Sequence, residues 1–505
     1  MMKKARDSWT GRIGIILAVA GSAVGLGNLL RFPSVAAANG GGAFIIPYFT
    51  AFILLGLPLC WIEWTLGRFG SQIHRGDAPG IFNNLGKGSP LLKYLGVLGL
   101  IGPLGIFFYY IYIESWTLAY CYLSLTGSYR GITDPAEMNR YFAAFLASPM
   151  RYVFFLITFG TNLLILLRGI SGGIEKFCRI SMPILLITGA IIAVKVMLLG
   201  HPVAEHPDWN TNNGFGFLWN PEFGKLKDPK VWLAAAGQIF FTLSIGMGVL
   251  MTYASYLKPR HDLTLSSTSA AFVNETVEVI IGASIVIPAA FCFFGPVGTQ
   301  TAIEGGMFGL GFRTMPLIFN HTGGGALLSV VWFLLLFIAG ITSSVSMLQP
   351  SISFVEEQLH VSKLKTVLFI GAICLVGANI AVFVNGAIDE MDFWFSSFGL
   401  PLFALIEVWI FLKCIGLHKG WNMLHEHAII RIPRVFKYVI GFVTPFVLGT
   451  ILLSWFFSSG WRMMLMLDIP REQYPAVITV RALYLAVLTL FLFLAARACR
   501  GQEVK

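Results

Sequence analysis

A chain of 505 residues that is 56% hydrophobic, only 12% charged and +0.75 in mean hydropathy is not a soluble globule, since soluble domains carry about 25% charged residues. It reads as an integral membrane protein with many helical spans. The net charge of +10 follows alternate loops, as the positive-inside rule expects, so it does not point to a nucleic-acid partner. Seven cysteines are scattered through apolar runs, with no spacing that suggests a metal site or a disulfide framework.

The first apolar run, from Ile13, is long and lacks a cleavage site, so it reads as a span and not as a removable signal. Its centre is Val19-Ala20-Gly21-Ser22-Ala23-Val24-Gly25-Leu26-Gly27-Asn28, followed by Leu29-Leu30-Arg31-Phe32-Pro33. Each glycine costs about 1 kcal/mol in a helix relative to alanine. In lipid, freed backbone groups survive only where they line a cavity. The run is therefore expected to break at mid-depth and bind something there, with close packing through small residues as the alternative. A bilayer needs roughly 20 apolar residues per helix. On that rule spans fall near 13–37, 41–68, 93–124, 151–168, 179–199, 230–256, 270–295, 324–355, 364–384, 392–413, 435–457 and 476–497, twelve in all.

An even count puts both termini on one side. Lys3, Lys4, Arg6 and Arg12 precede the first span. Arg68, Arg75, Arg168, Lys176, Lys258, Arg260, Lys363, Lys365, Lys419, Arg431 and Arg434 lie in the loops after the even-numbered spans. These belong in the cytoplasm of a cell (inner or plasma) membrane. The opposite loops, 200–229 and 296–325, are poorer in cations. His425-Glu426-His427 resembles a metal motif but reads as a solvated stretch of a basic loop. The sixth span repeats the interruption of the first, as Gly237-Gln238-Ile239-Phe240-Phe241-Thr242-Leu243-Ser244-Ile245-Gly246-Met247-Gly248. Spans 1 and 6 would each open a five-helix half. Matched interruptions of this kind point to a transporter binding site, where freed carbonyls face a cation and half-helix N-termini face an anion.

These runs, with Asn39-Gly40-Gly41-Gly42-Ala43-Phe44 and Asp389-Glu390-Met391-Asp392-Phe393-Trp394, resemble the neurotransmitter:sodium symporters, above all the bacterial leucine-transporter branch. The resemblance covers nearly all spans and is loosest at 125–150, 296–313, 413–430 and the C-terminus. It implies an all-α polytopic membrane protein with twelve transmembrane helices, broken at helices 1 and 6. Residues 1–505 then form a single transporter domain: 13–199 as the first five-helix repeat, 230–413 as its inverted copy, and 435–497 as helices 11 and 12.

The resemblance implies two Na⁺ sites. One would use the Ala23 carbonyl, Asn28, Thr242, Asn274 and the substrate carboxylate. The other would use the carbonyls of Gly21, Val24 and Ala339 with the hydroxyls of Thr342 and Ser343. Neutral oxygens suit a hard monovalent cation. The substrate carboxylate would meet the Leu26 and Gly27 amides and the Tyr110 hydroxyl. The amino group would meet carbonyls around Ala23, Phe241 and Thr242, and the Ser244 hydroxyl. Ser22, Ile106, Tyr110, Phe241, Ser244, Met247, Ser343 and Met347 would surround the side chain. No acid occurs in Gly21–Leu30, which argues against a monoamine. The expected cargo is a hydrophobic L-amino acid, branched or aliphatic, with aromatic ones admitted by the adaptable Met247 and Met347.

Three acids, Glu63, Glu114 and Glu278, lie within apolar spans. By resemblance, Glu63 would brace the broken first helix. Glu114 would be structural. Glu278 would supply the negative charge that chloride-dependent relatives take from an anion beside Tyr48, Gln238 and Thr242, making transport chloride-independent. Arg31 and Asp392 would form an outer gate, directly or through water, above Tyr110 and Phe241. Arg6 would pair with Glu357 at the inner mouth, aided by Ser255 and Tyr256. Trp9 and Pro33 would anchor the first span. The expected function is sodium-coupled symport by a monomer or homodimer in the lipid bilayer, not enzymatic catalysis. The alternatives are a non-transporting amino-acid sensor on the same scaffold and a proton-coupled amino-acid carrier.

Overall fold

The computed structural model describes residues 6–86, 89 and 91–500. Lys3, Lys4 and the side chain of Cys499 lie outside what it describes. The chain is almost wholly helical. The only β pairing among the described residues is one isolated bridge, between Gly41 and Pro221.

Among the described residues ten helices are long and apolar enough to cross a bilayer: Gly42–Gln72, Leu92–Thr126, Met150–Leu167, Ile170–Met197, Leu263–Glu304, Gly325–Gln358, Lys363–Phe383, Ala387–Ile415, Val435–Ser458 and Arg471–Ala498. An eleventh crossing is the bent pair Arg12–Ala23 and Gly27–Ala38, which turns by 51° at its break. The expected sixth span is instead two helices, Pro229–Thr242 of 14 residues and Val249–Ser255 of 7. Neither is long enough alone, because Leu243–Gly248 is unwound between them. Ser244, Gly246 and Gly248 there all have positive φ, at 52°, 70° and 65°. This is the left-handed region that glycine enters at no steric cost.

The third and eighth spans pack along most of their lengths and form the spine of the molecule. Glu114 ties them to the fourth, as expected of a structural acid. Asn162 Nδ2 donates to Glu114 Oε1 at 3.0 Å, and Ser344 Oγ donates to Asn162 Oδ1 at 2.7 Å. The broken first span threads this scaffold, and Trp9 Nε1 fastens its start to the Tyr253 carbonyl at 2.8 Å. Gly41, in the Asn-Gly-Gly-Gly run, takes φ 57°. A Cβ there would stand 2.7 Å from the Leu218 carbonyl oxygen, so only glycine lets these two outer loops meet.

Two loop assignments differ from expectation. Arg68, expected as a loop cation, is a buried helix residue that donates to the carbonyls of Lys258, Pro259 and His261, so it staples the end of the second span to that loop. His425, expected to be solvated, is half-buried. Its Nδ1 lies 2.8 Å from the Trp421 carbonyl and its Nε2 accepts from Ile432 N at 3.1 Å. Among the described residues no cluster of His, Cys, Asp and Glu could hold a metal ion.

Candidate functional site

The site grows from the unwound turn of the first span. Helix Arg12–Ala23 ends when Val24 adopts an extended backbone, φ −75° and ψ 100°. Carbonyls from Gly21 to Val24 thus lose their helical donors, and buried polar groups must find partners. Each has a defined neighbour. The Ser22 carbonyl accepts from Ser244 Oγ at 3.1 Å. The Gly21 and Val24 carbonyls lie 3.4 and 3.5 Å from Ser343 Oγ, and the Ala339 carbonyl lies 3.2 Å from it. Thr342 Oγ1 lies 3.1 Å from the same Ala339 oxygen. All five oxygens of the expected second sodium site therefore meet in one place. A single hydroxyl proton serves only one of the three carbonyls, so the cluster has surplus acceptors.

The first expected sodium site is also drawn together. Asn274 Oδ1 lies 3.3 Å from both the Ala23 and the Thr242 carbonyl oxygens. Acceptors that face one another repel unless a cation sits among them or the amide turns over to donate. Asn28, Gln238, Asn274, Glu278 and Thr342 are completely buried, and Thr242 almost so. Asn28 departs from expectation in detail. Its Oδ1 accepts from Gly25 N at 2.8 Å, and its Nδ2 faces Thr242 Oγ1 and Asn274 Oδ1 at 2.9 Å. The amide thus folds back on its own unwound turn, capping one of the freed N–H groups.

Glu278 lies where α-helix gives way to a wide, π-type segment, Thr276–Gly282. Such segments recur at functional sites. Its carboxylate accepts from Gln238 Nε2 at 2.5 Å, from Asn28 Nδ2 at 3.0 Å, and from the Thr242 hydroxyl. Tyr48 lies beside it as expected, and its hydroxyl also donates to Glu275 Oε2 at 2.6 Å. Glu275 is a second buried acid that the sequence did not single out. Asn274 Nδ2 reaches it at 3.4 Å.

Above the break, Leu26 N donates to the Tyr110 hydroxyl at 3.4 Å. A Cβ on Gly25 would lie 2.9 Å from both Tyr110 Oη and Ser343 Oγ, so no larger residue, acidic or otherwise, fits unshifted at 25. Ile106, Met247 and Met347 are buried, and Phe241 is half-buried against Gly27. Ser22 Oγ shares a proton with Ser346 Oγ at 2.6 Å. Ser346 also went unnoticed in the sequence, although its place three residues beyond Ser343 on one helix would have suggested it.

Glu63 is the clearest correction. Its Oε1 accepts from Gly246 N at 2.7 Å, so it braces the break of the sixth span and not that of the first. Arg31 and Asp392, expected to pair directly or through water, do not pair directly. Among the described residues no contact within 4.0 Å joins Arg31 to Asp392. Arg31 lies 4.8 Å over the Phe241 ring, and Asp392 Oδ1 accepts from Tyr109 at 2.7 Å. The residues expected at the inner mouth meet one another. Arg6 Nε meets Glu357 Oε1 at 2.9 Å, its Nη1 donates to the Ser255 carbonyl at 2.8 Å, and its guanidinium lies 4.2 Å over the Tyr256 ring. Tyr256 donates to Glu357 at 3.1 Å.

A latch that the sequence did not reveal reinforces this gate. Gly76 N donates to Glu357 Oε2 at 2.6 Å, and Gln358 Nε2 donates to Asp77 Oδ2 at 3.0 Å. Asp77 Oδ1 also caps the helix Ala78–Leu85 through Gly80 N at 2.7 Å. Burial first, then the neighbouring Glu357 charge, push the Asp77 carboxyl up to about 6.

The model of the sodium:neurotransmitter symporter family matches residues 6–132 and 152–498. A sodium-dependent transporter of Methanocaldococcus jannaschii is 31% identical over 472 residues, covering 88% of this chain and 89% of its own. A sodium-dependent dopamine transporter of Caenorhabditis elegans is 26% identical, covering 90% and 81%. Among solved structures, MhsT in complex with L-phenylalanine superposes with a TM-score of 0.76 at 29% identity, over 89% of this chain and 100% of that one. Two mid-depth breaks, carbonyls turned toward buried hydroxyls and amides, and a match along nearly the whole chain lead to one conclusion: this multi-pass membrane protein belongs to the sodium:neurotransmitter symporter family, whose members are transporters and not enzymes.

Proposed function

We propose that the protein carries a hydrophobic L-amino acid into the cell with Na⁺ bound at two sites, by alternating access and without chloride. The observation that carries this reading is the accounting of the unwound turn, in which the freed carbonyls of Gly21 and Val24, with that of Ala339, converge on the single hydroxyl of Ser343. A cation completes that cluster. A substrate carboxylate would add the remaining negative oxygen beside Leu26 N and Tyr110. The apolar walls from Ile106, Phe241, Met247 and Met347 suit a branched, larger aliphatic or aromatic side chain. The L-phenylalanine bound by the MhsT relative supports the aromatic option. Residues 13–199 and 230–413 would be the two inverted halves, with the broken sixth span completing twelve crossings and both termini cytoplasmic. The protein would act as a monomer or homodimer.

Glu278 already fills the place beside Gln238 and Thr242 with a carboxylate. Uptake should therefore be unchanged when gluconate replaces chloride; a collapse of uptake would remove this assignment. A thermal-shift screen of the twenty amino acids, with and without Na⁺, identifies the cargo. Purified protein in liposomes should then concentrate that amino acid only under an inward Na⁺ gradient. Binding without accumulation would make it a sensor, and accumulation under a proton gradient alone would make it a proton-coupled carrier.

A further inference from the structure

Outside the central site, an apolar cavity opens on the flank of the helix bundle. It encloses about 520 Å³ between the second, sixth and eleventh spans and is lined chiefly by Leu54, Leu55, Trp232, Leu233, Val447 and Ile451. Trp232 and Leu233 are each about 40% exposed at its mouth. Its upper rim is the segment Lys225-Leu226-Lys227-Asp228-Pro229-Lys230, from which Leu226 and Lys227 reach into the lining.

That rim is anomalous. Pro229 opens the sixth span, so five crossings separate it from the N-terminus and place it on the opposite side of the membrane. Cations are sparse on that side by the positive-inside rule, yet three lysines stand within six residues. All three are exposed, and among the described residues none has an ion-pair partner within 4.0 Å. Two acids lie nearby, Glu222 and Asp228. Asp228 is engaged in capping its own helix, accepting from Lys230 N at 2.9 Å. Trp232 Nε1 donates to the Leu226 carbonyl at 2.9 Å, which fixes the indole as the wall where rim meets groove. Tryptophan at that level marks the water–lipid boundary.

We infer that this groove holds one acyl chain of an anionic phospholipid, whose phosphate is gripped by Lys225, Lys227 and Lys230. A lipid tail that leaves the bilayer for an apolar groove exchanges one apolar surrounding for another, so the tail contributes little selectivity. Selection falls on the headgroup, where unpaired ammonium groups favour a negative lipid over a zwitterionic one. One wall of the groove is the outer half of the broken sixth span, which joins the lipid site to the element that carries Thr242.

The test uses the full-length protein in detergent with added phosphatidylglycerol or phosphatidylcholine of identical chains. Native mass spectrometry should show phosphatidylglycerol retained several-fold better. The triple variant K225Q/K227Q/K230Q should lower its retention to the phosphatidylcholine level, with helicity and monodispersity unchanged. Phosphatidylglycerol with brominated chains should quench part of the tryptophan emission, and that part should vanish in Trp232→Phe. Thr450→Phe, which narrows the groove and leaves the lysines in place, should weaken the quenching. Equal retention of the two lipids, undiminished retention by the triple variant, or quenching as strong in Trp232→Phe as in the parent would each overturn the assignment. None of these readouts depends on transport, so they stand or fall apart from the proposed function.

Discussion

Asn274 and Thr342 carry oxygens into places where the backbone supplies acceptors and no donor. Replacing either side chain leaves the carbonyls of Ala23 or of Gly21 and Val24 with fewer cation ligands and with no new donor. Asn28→Ala removes in addition the cap on Gly25 N. Sodium-driven uptake in liposomes should fall at least tenfold, which corresponds to about 1.4 kcal/mol of binding free energy, in Asn28→Ala and in Thr342→Ala. Unaltered sodium dependence in both would remove the two ion sites. At the inner loop, the Asp77 carboxyl titrates near 6 in the fold, against about 3.9 in an unfolded chain. The folded value is the higher one. Asp77 therefore contributes stability that is complete below about pH 4 and is lost as the pH rises through 6. Asp77→Asn keeps an oxygen for Gly80 N and carries no charge. Its melting temperature should vary less between pH 5 and 7.5 than that of the parent. The difference over that interval would reflect about 1.4 kcal/mol of linked protonation; parallel pH profiles would show that Asp77 is not the titrating group.

The element that makes the site is a helix that stops. Gly248, which restarts the sixth span with φ 65°, illustrates how narrowly the break is specified. A Cβ at that position would stand 3.0 Å from the Gly99 carbonyl oxygen, on the third span. An L-residue in the left-handed region costs about 1–2 kcal/mol before any contact is counted. Gly248→Ala should lower the thermal unfolding midpoint and weaken amino-acid-induced stabilisation together, because Met247 and the freed N–H of Gly246 lie in the same turn. A variant of normal midpoint and normal ligand response would mean that the turn tolerates another shape. The inner gate belongs to this scale too. Arg6 and Glu357 are 351 residues apart in sequence, yet the loop carrying Gly76 and Asp77 holds the same helix end twice. A half-exposed ion pair by itself contributes little. A backbone N–H, a hydroxyl and an amide added to it form a latch that can open as a unit.

For the whole molecule, the two proposed ion clusters and the proposed substrate space would share one stretch of backbone, from Gly21 to Asn28. Binding at any of the three orders that stretch for the others. Sodium should therefore tighten the amino acid by the same factor by which the amino acid tightens sodium. Calorimetric titrations of each in the presence of the other should give equal coupling free energies, and independent affinities would contradict a shared turn.

Membrane character, the two breaks and the family were legible in the chain because they depend on local properties. Glycine cost, the bilayer's demand for satisfied backbone, and long motifs shared with a family all act within one stretch. The sequence could not say whom a buried acid serves. Glu63 braces the sixth span, Tyr48 also donates to Glu275, Asp392 is taken by Tyr109, and Arg68 staples a helix end to a loop. Each of those pairings joins residues between 183 and 283 positions apart. A carboxylate deprived of water takes whichever donor the packed helices bring within reach, and only the tertiary structure decides which donor that is.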